Sequence, residues 1–381
     1  MEKIRILLVE DNPDDVDIMR EMFMMANFQH IILTFANDLL SGIEKANSDD
    51  IDIVLLDLSL PDSEGMDTFL SMREQVPDIP IILLTGSHNL ALGTRAVQQG
   101  AQDYLVKGQE NANSIVRSIQ YGIERFNLYR ELDMVNKNMS RELEIAEKIQ
   151  ESIYPDKIFN RPGIAVVADI KQKGNVGGDY FDIFPLSEYK TAILIADVSG
   201  HDIASAFVVA MAKISFSAHI TPDSSLEEIF QKVNRDIMAA IKSGLFMTAF
   251  LVVVDTEKGT LRYCAAGHGH QLLYRKNNQQ VECISTQGFM LGAIDEDLFE
   301  EKNCKLAPGD KLILFTDGIT ESFNHTGEMF GNERLEEVVR EHGMLNAADL
   351  HITIMTSHKD FCNGIKPEDD RSLLVIEYKA K

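Results

Sequence analysis

Five short apolar runs, separated by amphipathic segments such as 14–26 and 64–75, organise the first 125 residues of the chain. Strands that alternate with helices in this way are typical of a parallel sheet covered on both faces. Sites in such folds lie beyond the carboxyl ends of the strands. We therefore predict a doubly wound α/β domain with five parallel strands, near 4–9, 31–35, 51–57, 80–85 and 103–106.

Charged and hydroxyl-bearing residues mark the ends of four of these runs. Three carboxylates at one edge of a sheet would repel one another unless a cation lay among them, and oxygen ligands favour Mg²⁺. With a hydroxyl and an ammonium nearby, one such carboxylate could accept a phosphoryl group. The alternative is that each residue only caps a strand or a helix. The candidates are Glu10, Asp11, Asp57, Thr85 and Lys107.

The motifs around these residues resemble the response-regulator receiver family over about residues 1–125. The resemblance rests on "LLVEDNPDD", "VLLDLSLPDSEGMD", "IILLTGS" and "GAQDYLVKG". It implies a flavodoxin-like fold in which Asp57 is phosphorylated by a histidine kinase or a phosphotransfer protein. At Gly108 the chain departs from the family, which usually has proline after the lysine. The implied roles are Mg²⁺ binding by Glu10, Asp11 and Asp57, phosphoryl binding by Thr85 and Lys107, and an aromatic switch at Tyr104.

A stripe of apolar residues at steps of three and four runs from Ile115 to Ile153. This spacing predicts one continuous helix. Some forty residues rising ~1.5 Å each form a rod of roughly 60 Å, too long for one small domain to cover. The stripe either packs against the chain's own domains or pairs two copies in a parallel coiled coil. We expect the coiled coil, although Gly122, Asn136 and Asn138 weaken its pattern.

The second half of the chain lacks regular strand–helix alternation and contains many strand-like runs with few helices. Helical patterns are near 203–218, 224–241 and 332–341. Numerous strands joined by tight turns indicate antiparallel sheets flanked by helices. The strand candidates are 163–171, 180–186, 191–198, 247–255, 259–267, 270–276, 310–318 and 371–378.

Four places in this half set acids beside small or turn-forming residues: "VGGDYFD", "IADVSGH", "LFTDGITE" and "PEDDRS". Glycines there let backbone and ligand approach closely. If Asp197 bridges two cations, the other acids can complete their sites, and a bridging water can then attack a phosphate monoester near neutrality. Each acid alone could equally be a turn or cap residue. The candidates are Asp179, Asp197, Asp317, Asp369 and Asp370.

Nearly all of residues 140–381 resembles the metal-dependent serine/threonine protein phosphatases, in the bacterial branch typified by SpoIIE and RsbU. The strongest matches are "AEKIQESIYP", "VGGDYFDIF", "IADVSGHDIASA", "LFMTAFLVVVD" and "LAPGDKLILFTDGITESFN". The resemblance implies an α+β fold with two antiparallel sheets sandwiched between helices. It also implies two or more Mn²⁺ or Mg²⁺ ions, bridged by Asp197 and bound by the Val198 carbonyl. The remaining implied ligands are Asp179, Asp317 and Asp369, with Asp370 the weaker candidate of its pair.

Two turns depart from this phosphatase family. Its "GHG" turn reads Gly200-His201-Asp202, so an aspartate is expected to adopt a turn usual for glycine, and an extra carboxylate could change the metals. Its "GHNP" turn reads "GHGHQ" at 267–271. We interpret His201, His268 and His270 as structural or solvated residues in preference to a general acid.

Composition restricts the remaining possibilities. A formal net charge of −24 disfavours nucleic acid as a partner, and no basic helix or helix-turn-helix follows residue 125. No apolar stretch reaches the ~20 residues that span a bilayer, and the N-terminus lacks the pattern of a secretory signal. Four scattered cysteines indicate free thiols in a reducing cytoplasm and argue against a zinc site.

The sequence thus predicts three parts: a receiver domain (1–122), a helical linker with coiled-coil character (123–155) and a phosphatase domain (156–381). We expect a cytoplasmic homodimer in which phosphorylation of Asp57 controls a phosphoserine or phosphothreonine protein phosphatase. The family resemblance implies a phosphorylated STAS-domain anti-anti-sigma factor as substrate. The alternative is a catalytically silent phosphatase-fold adaptor that binds a regulatory partner under receiver control. Neither a membrane nor nucleic acid is expected as a partner.

Overall fold

The computed structural model describes residues 3–26, 30–86, 90–200, 202–241, 244–295 and 298–379. The chain folds as two compact units, with the division between residues 139 and 140. Among the residues described, no helix is both long and apolar enough to cross a bilayer.

Strands alternate with helices in the first unit, as predicted. The strands are β1 (Ile4–Val9), β2 (Ile31–Ala36), β3 (Ile53–Asp57), β4 (Ser59–Leu60), β5 (Ser63–Glu64), β6 (Ile81–Thr85) and β7 (Asp103–Val106). The helices between them are α1 (Pro13–Met25), α2 (Leu39–Ser48), α3 (Met66–Gln75) and α4 (Leu90–Gln98).

A parallel sheet of order β2-β1-β3-β6-β7 forms the centre of this unit. Strands β3 and β6 are buried along their whole length, because helices cover both faces of the sheet. Since the strands are parallel, the carboxyl ends of β1, β3, β6 and β7 lie side by side at one edge. The five-stranded parallel sheet predicted from the sequence is confirmed.

Helix α5 (Ala112–Glu151) is a single helix of 40 residues, as the apolar periodicity predicts. Its first turns pack on the parallel sheet, where Ile115 and Ile119 are buried. Farther along, the stripe side chains Tyr129, Leu132 and Met139 are all more than half exposed. The coiled-coil pairing of this stripe remains a prediction.

Two antiparallel sheets face one another in the second unit, and helices cover their outer faces. The strands are β8 (Ile158–Arg161), β9 (Ile164–Lys171), β10 (Asp179–Pro185), β11 (Lys190–Val198), β12 (Met247–Asp255), β13 (Thr260–Ala266), β14 (Gln271–Arg275), β15 (Gln280–Ile284), β16 (Glu301–Lys305), β17 (Lys311–Phe315) and β18 (Arg371–Tyr378). The helices are α6 (Ile203–His219), α7 (Leu226–Ala240), α8 (Asp317–Thr320), α9 (Gly331–His342) and α10 (Ala347–Cys362).

The first of these sheets has the order β10-β11-β12-β13-β16 and the second has the order β15-β14-β17-β18-β9-β8. Three apolar layers hold the sandwich together. Phe250 and Leu374 are buried between the sheets. Phe216 of α6 is buried between the first sheet and its helices, and Ile354 of α10 is buried between the second sheet and its helices. Burial of each such side chain contributes about 2–3 kcal/mol. The predicted sandwich of two antiparallel sheets between helices is confirmed.

Several segments differ from the sequence prediction. Helix α10 lies where no helix was predicted, because its β-branched and polar residues obscure the apolar periodicity. Packing of Leu350 and Ile354 against the second sheet overrides those local preferences, and Asn346 caps the helix by accepting from the N–H groups of Ala348 and Asp349. The strand predicted over 310–318 ends at Phe315, and α8 follows it. Strands β4, β5, β8, β15 and β16 were also missed.

Candidate metal and phosphoryl sites

Strands β1 and β3 bring three acids together at the edge of the parallel sheet. One oxygen from each of Glu10, Asp11 and Asp57 lies within 4.8 Å of the others. Glu10 and Asp57 are buried, whereas Asp11 is exposed. Burial and the neighbouring charge of Asp57 raise the pKa of Glu10 to about 7. The cluster therefore offers hard oxygen ligands suited to a divalent cation such as Mg²⁺.

Lys107, which follows β7, reaches into the same cluster. Its Nζ atom lies 2.6 Å from Asp57 Oδ2, 2.6 Å from Glu10 Oε2 and 3.0 Å from Asp15 Oδ2. Burial alone would lower the pKa of Lys107, but its hydrogen bonds to Asp57, Glu10 and Asp15 outweigh burial and raise it. The ammonium thus neutralises part of the negative charge. Sequence reasoning missed Asp15, although it stands one helical turn after Asp11.

The other two predicted receiver residues lie on the neighbouring strands. Thr85 ends β6, and its buried Oγ1 has no hydrogen-bond partner among the residues that the structure describes. Because Leu84 pairs with Asp57, this hydroxyl lies one residue beyond the level of that acid. The Tyr104 ring packs directly on Gly93 of α4, where any Cβ would clash with it. Tyr104 is therefore packed inward against α4.

The departure at Gly108 alters the turn but does not displace the lysine. Gly108 has φ +78°, a value that the pyrrolidine ring of proline cannot adopt. The backbone N–H of Lys107 still donates to the carbonyl of Thr85 at 2.8 Å. The position of Lys107 is therefore held by β6, independently of the residue that follows it.

In the second unit, Asp179 and Asp197 face one another as a registered pair of β10 and β11. Alternate residues of a strand point to opposite faces of its sheet. Phe181 of β10 and Ile195 of β11 enter the layer between the two sheets. Asp179 and Asp197 each stand two positions from one of these residues and therefore lie on the same face. Asp179 and Asp197 therefore point toward the edge of the layer between the two sheets. We call this edge the rim.

The second sheet contributes three more acids to this rim. Asp317 is the first residue of α8, just after β17, and Asp369 and Asp370 directly precede β18. Strands β17 and β18 are neighbours in the sheet. The acids interact electrostatically: burial and then the charge of Asp369 raise the pKa of Asp317. All five phosphatase acids predicted from the sequence thus lie in one region of the fold.

Hydroxyl groups from the second sheet hold Asp179. Its Oδ2 atom accepts from Thr316 Oγ1 at 2.8 Å and from Ser372 Oγ at 2.7 Å. The backbone N–H of Ser372 donates to Thr316 Oγ1 at 2.9 Å. These bonds tie the first sheet to the second at the rim. Sequence reasoning missed both residues, although each stands within two positions of a predicted acid.

The acids Asp369 and Asp370 have different surroundings. Asp370 is buried and accepts from the backbone N–H groups of Lys173 and Gly178, at 2.7 Å each. Asp369 is exposed, and its Oδ1 accepts from the backbone N–H of Asp370 at 2.8 Å. Asp370 therefore fixes the glycine loop before β10. This arrangement is compatible with Asp369 as the ligand of the pair, which remains a prediction.

Glycine at position 178 is required for the close approach of two chain segments. A Cβ there would clash with the carbonyl oxygen of Val198. The N–H of Val198 in turn donates to the carbonyl of Gly178 at 3.1 Å. The Val198 carbonyl, predicted as a metal ligand, therefore lies against the loop that leads into Asp179.

The electrostatics of the rim fit a divalent metal centre. Burial and the charges of Asp317, Asp369 and Asp370 raise the pKa of Asp197 to about 8. Burial and the charge of Asp197 raise the pKa of Asp179 well above its ordinary value, against the effect of its hydroxyl partners. Carboxylates that repel one another in this way are relieved by a hard cation. The donor set of carboxylates and one carbonyl suits Mn²⁺ or Mg²⁺.

The end of α5 is hydrogen-bonded to this same glycine loop. The buried side chain of Gln150 donates to the carbonyl of Gly177 at 2.7 Å and accepts from its N–H at 3.1 Å. The Tyr154 hydroxyl, just beyond the helix, donates to the carbonyl of Asp179 at 3.0 Å. The motif "AEKIQESIYP" is evident in the sequence, but these contacts between the end of the helix and the glycine loop are not.

His268 behaves as a structural residue, in keeping with its interpretation from the sequence. Its Nδ1 lies 2.8 Å from Thr248 Oγ1 and its Nε2 lies 3.2 Å from the carbonyl oxygen of Phe315. Burial lowers the pKa of His268 to about 4, so the ring is neutral near pH 7. His201 lies outside the described residues.

The expected glycine-like turn at Asp202 is wrong. Asp202 has φ −118° and ψ −174°, an ordinary extended conformation, and the left-handed residue of the turn is Gly200 at φ +93°. The Asp202 carboxylate accepts from the N–H groups of Ala204 and Ser205 at 3.0 and 3.1 Å. It is therefore the N-cap of α6, which explains why an aspartate is tolerated there.

Comparison with known proteins assigns the two units separately. The response regulator receiver domain matches residues 6–120, and stage II sporulation protein E (SpoIIE) matches residues 187–379. Phosphoserine phosphatase RsbU of Bacillus subtilis is 24% identical over 264 residues, which are 69% of this chain and 77% of RsbU. Phosphoserine phosphatase RsbP of the same organism is 22% identical over 64% of this chain and 59% of RsbP.

Solved structures share the fold of the second unit. The SiaA-PP2C domain of Pseudomonas aeruginosa aligns with a TM-score of 0.56 and 20% identity, covering 64% of this chain and 99% of that domain. The RsbU and RsbW domains of a Mycobacterium tuberculosis protein align with a TM-score of 0.50 and 21% identity, covering 60% of this chain and 62% of that one. The chain belongs to the SpoIIE family and carries a response-regulator receiver domain in its first unit.

Proposed function

We propose that this protein is a metal-dependent protein phosphatase for phosphoserine or phosphothreonine, controlled by phosphorylation of Asp57. The observation that carries the proposal is the convergence of five acids from two facing sheets, beside the Val198 carbonyl, with the pKa of Asp197 raised to about 8 by burial and its neighbours. The relatives RsbU and RsbP, both named phosphoserine phosphatases, support the same activity.

In this proposal the rim holds two or more Mn²⁺ or Mg²⁺ ions. Asp197 would bridge them, the Val198 carbonyl would be a further ligand, and Asp179, Asp317 and Asp369 would complete the protein ligands. When bound, the ions would supply an activated water and neutralise charge on the phosphate ester. The residues around them have positioning roles: Thr316 and Ser372 orient Asp179, and Asp370 fixes the glycine loop.

The proposed substrate is a phosphorylated STAS-domain anti-anti-sigma factor. This choice rests on the family resemblance, because a fold alone does not determine a substrate. A phosphoserine displayed on a folded protein would have to enter the cleft lined by Asp197, Asp317 and the 267–271 turn. That turn reads "GHGHQ" where the family has "GHNP". It is therefore the place where the substrate contacts of this chain would differ from those of the family.

Control by the receiver would pass through α5. At its start the helix packs on the receiver sheet through Ile115 and Ile119, and at its end Gln150 binds both polar groups of Gly177. A phosphoryl group on Asp57 would compete for Lys107 and engage the Thr85 hydroxyl. We expect this change to shift α5, and with it the loop before Asp179. A histidine kinase or phosphotransfer protein would be the phosphoryl donor.

The exposed apolar stripe on α5 supports a homodimer in which two copies pair along this helix. More than half of each of the side chains Tyr129, Leu132 and Met139 is exposed, and their spacing suits the seam of a parallel coiled coil. Sedimentation of the full-length protein with and without beryllofluoride, which mimics phospho-Asp57, would measure pairing and its control together.

The first experiment is Mn²⁺-dependent hydrolysis of an aryl phosphate and of a phosphoserine peptide by the full-length protein. Asp197→Asn should lower turnover at least about a hundredfold. Even loss of a residue that only hydrogen-bonds to a metal ligand lowers metal affinity or activity about 10–100-fold. Asp223→Asn, which removes an exposed carboxylate away from the rim, is the matched control and should retain turnover.

Two results would count against the proposal. Absence of turnover in folded wild-type protein would favour the silent adaptor, which should keep its biological output in the Asp197→Asn variant. A turnover rate and oligomeric state that are unaffected by beryllofluoride would leave the phosphatase intact but refute control through Asp57. An Asp57→Asn variant should be insensitive to beryllofluoride in either case.

A further inference from the structure

A second cluster of metal-binding side chains lies beside the acid rim. A ring nitrogen of His270, the Sγ atom of Cys283 and a carboxylate oxygen of Glu336 all lie within 4.8 Å of one another. None of these residues belongs to the five acids of the phosphatase rim. We propose that this cluster is a separate site for Zn²⁺.

The sheet and one helix bring the three residues together. Cys283 of β15 pairs with Leu272 of β14, and His270 stands two positions before Leu272, so it shares the same face as the diagonal neighbour of Cys283. Helix α9 lies over this face, and Glu336 follows Leu335, which is buried in the core beneath the helix. The three donors therefore come from the residue before β14, from β15 and from α9.

The observed spacing of the donors suits a tetrahedral ion. Zn²⁺ binds Cys, His and carboxylate ligands at ~2.0–2.3 Å, which separates neighbouring ligand atoms by roughly 3.5 Å. The Cys283 thiol donates to Glu336 Oε1 with a separation of 3.4 Å. A cation would replace the thiol proton, which is released to solvent as the thiolate–metal bond forms. Cys283 is exposed, so an ion can reach the site.

The surroundings of His270 are an independent sign of a ligand. Its Nε2 atom is buried and has no hydrogen-bond partner in the part of the chain that the structure describes. The ring is held edge-on against Phe315, with centroids 6.3 Å apart and planes at 83°. Polar atoms buried without a partner are rare and need an explanation. An ion bound to Nε2 in the plane of this imidazole would supply one.

The donor chemistry separates this site from the acid rim. One imidazole, one thiolate and one carboxylate favour a borderline-soft ion such as Zn²⁺, whereas carboxylates and carbonyls favour Mg²⁺ or Mn²⁺. The scattered cysteines argued against zinc because no two of them are close in sequence. In the fold, a single cysteine acquires histidine and glutamate partners from distant segments. His270 also lines the cleft that contains Asp197 and Asp317, so zinc would fix the 267–271 turn.

The test uses full-length protein with saturating Mg²⁺, which fills the carboxylate sites, and Co²⁺ as a spectroscopic substitute for Zn²⁺. We expect a thiolate-to-cobalt absorption band in the near ultraviolet, abolished by one equivalent of Zn²⁺. Cys283→Ser should remove the band, and Cys304→Ser, which changes a half-buried thiol of the other sheet, should keep it. Glu336→Gln should keep the thiol but weaken Zn²⁺ binding at least about tenfold.

The proposal is overturned if wild-type protein shows no such band, or if the band persists in Cys283→Ser. Thermal unfolding of each variant in Mg²⁺ verifies that it is folded. If Cys283→Ser does not fold, Glu336→Gln decides the question, because unchanged Zn²⁺ affinity in that variant would also refute the site. None of these measurements depends on phosphatase activity.

Discussion

Both acid clusters of this molecule place several carboxylates close together, but different groups compensate the repulsion between them. In the receiver unit, the Lys107 ammonium lies within 3.0 Å of carboxylate oxygens of Glu10, Asp15 and Asp57. At the phosphatase rim, the charged groups that act on Asp197 are three further acids, Asp317, Asp369 and Asp370. The groups that favour ionised Asp179 are the neutral hydroxyls of Ser372 and Thr316.

This difference bears on what each cluster requires in order to fold. Buried charges are tolerated when a partner of opposite sign lies among them, and are costly when it is removed. The receiver contains such a partner in its own sequence, so its acids are compensated before Mg²⁺ binds. The phosphatase rim relies on protons or added cations. We therefore expect metal ions to stabilise the second unit more strongly than the first.

Removal of the internal cation should have the largest effect. Lys107→Met leaves Glu10 and Asp57 buried without their ammonium, and we expect the receiver to lose about 3 kcal/mol of unfolding free energy. Mg²⁺ should restore part of this loss, since it would replace the missing charge. Urea unfolding followed by circular dichroism, with and without Mg²⁺, measures both. Lys3→Met, at an exposed position beside β1, is the matched control. Equal stability of the two variants would contradict the comparison.

The pH dependence of metal binding should also differ between the two clusters, because protons compete with the cations. The pKa of Asp197 is raised to about 8 and that of Glu10 to about 7, in each case first by burial. A raised pKa means that the acid holds its proton below that pH, and a cation must displace it. Mn²⁺ affinity at the rim should therefore fall about tenfold per pH unit below 8, and Mg²⁺ affinity at the receiver likewise below 7.

Calorimetric titration in two buffers of different ionisation heat would count the protons released. At pH 7.5 Asp197 should release about three quarters of a proton when Mn²⁺ binds, while Glu10 should release less than half of one with Mg²⁺. Asp197→Asn should reduce the number of protons released at the rim, with the remainder coming from Asp179. An affinity for Mn²⁺ that does not change between pH 6 and pH 8 would refute the raised pKa of Asp197.

The neighbouring acids Asp369 and Asp370 allow a smaller test within the rim. Asp370→Asn replaces one of the two oxygens that accept from the N–H groups of Lys173 and Gly178 with an NH2 group. The loss of that bond should cost about 1–3 kcal/mol in the absence of metal. Asp369→Asn should change metal-free stability by less than about 0.5 kcal/mol, because the residue is exposed, yet it should weaken Mn²⁺ binding. Unfolding in chelator and Mn²⁺ titration of both variants provide the two readings. A loss of metal-free stability in Asp369→Asn instead would reverse the assigned roles.

Local sequence patterns were sufficient for the elements that define both clusters. Apolar runs such as 4–9 and 191–198 form strands because their side chains are buried on one or both faces, and this shows directly in the sequence. The acids that end these strands follow from the same pattern. Helix α5 was also predictable, because a stripe at steps of three and four has few other interpretations.

Contacts between distant segments could not be obtained in this way. Thr316 and Ser372 meet Asp179 only because two sheets pack face to face, and Gln150 meets Gly177 only because α5 ends there. Helix α10 was missed because its stability comes from the sheet beneath it. The sequence also suggested a strained backbone at residue 202, where the deciding interaction is a helix cap.

Asp202 provides the last and smallest test of the comparison, since it decides whether a further acid beside α6 binds metal. Its carboxylate accepts from the N–H groups of Ala204 and Ser205, so its charge is engaged by the start of α6. Asp202→Gly should then cost a few tenths of a kcal/mol and Asp202→Ala about 1 kcal/mol, the order expected for an N-cap. Mn²⁺-dependent turnover should stay within about twofold in both variants, because a cap residue contributes stability and no ligand. If Asp202 instead bound metal, both substitutions would weaken Mn²⁺ affinity equally and the stability order of glycine and alanine would not matter. The dependence on the substituted residue therefore separates a helix cap from a metal ligand.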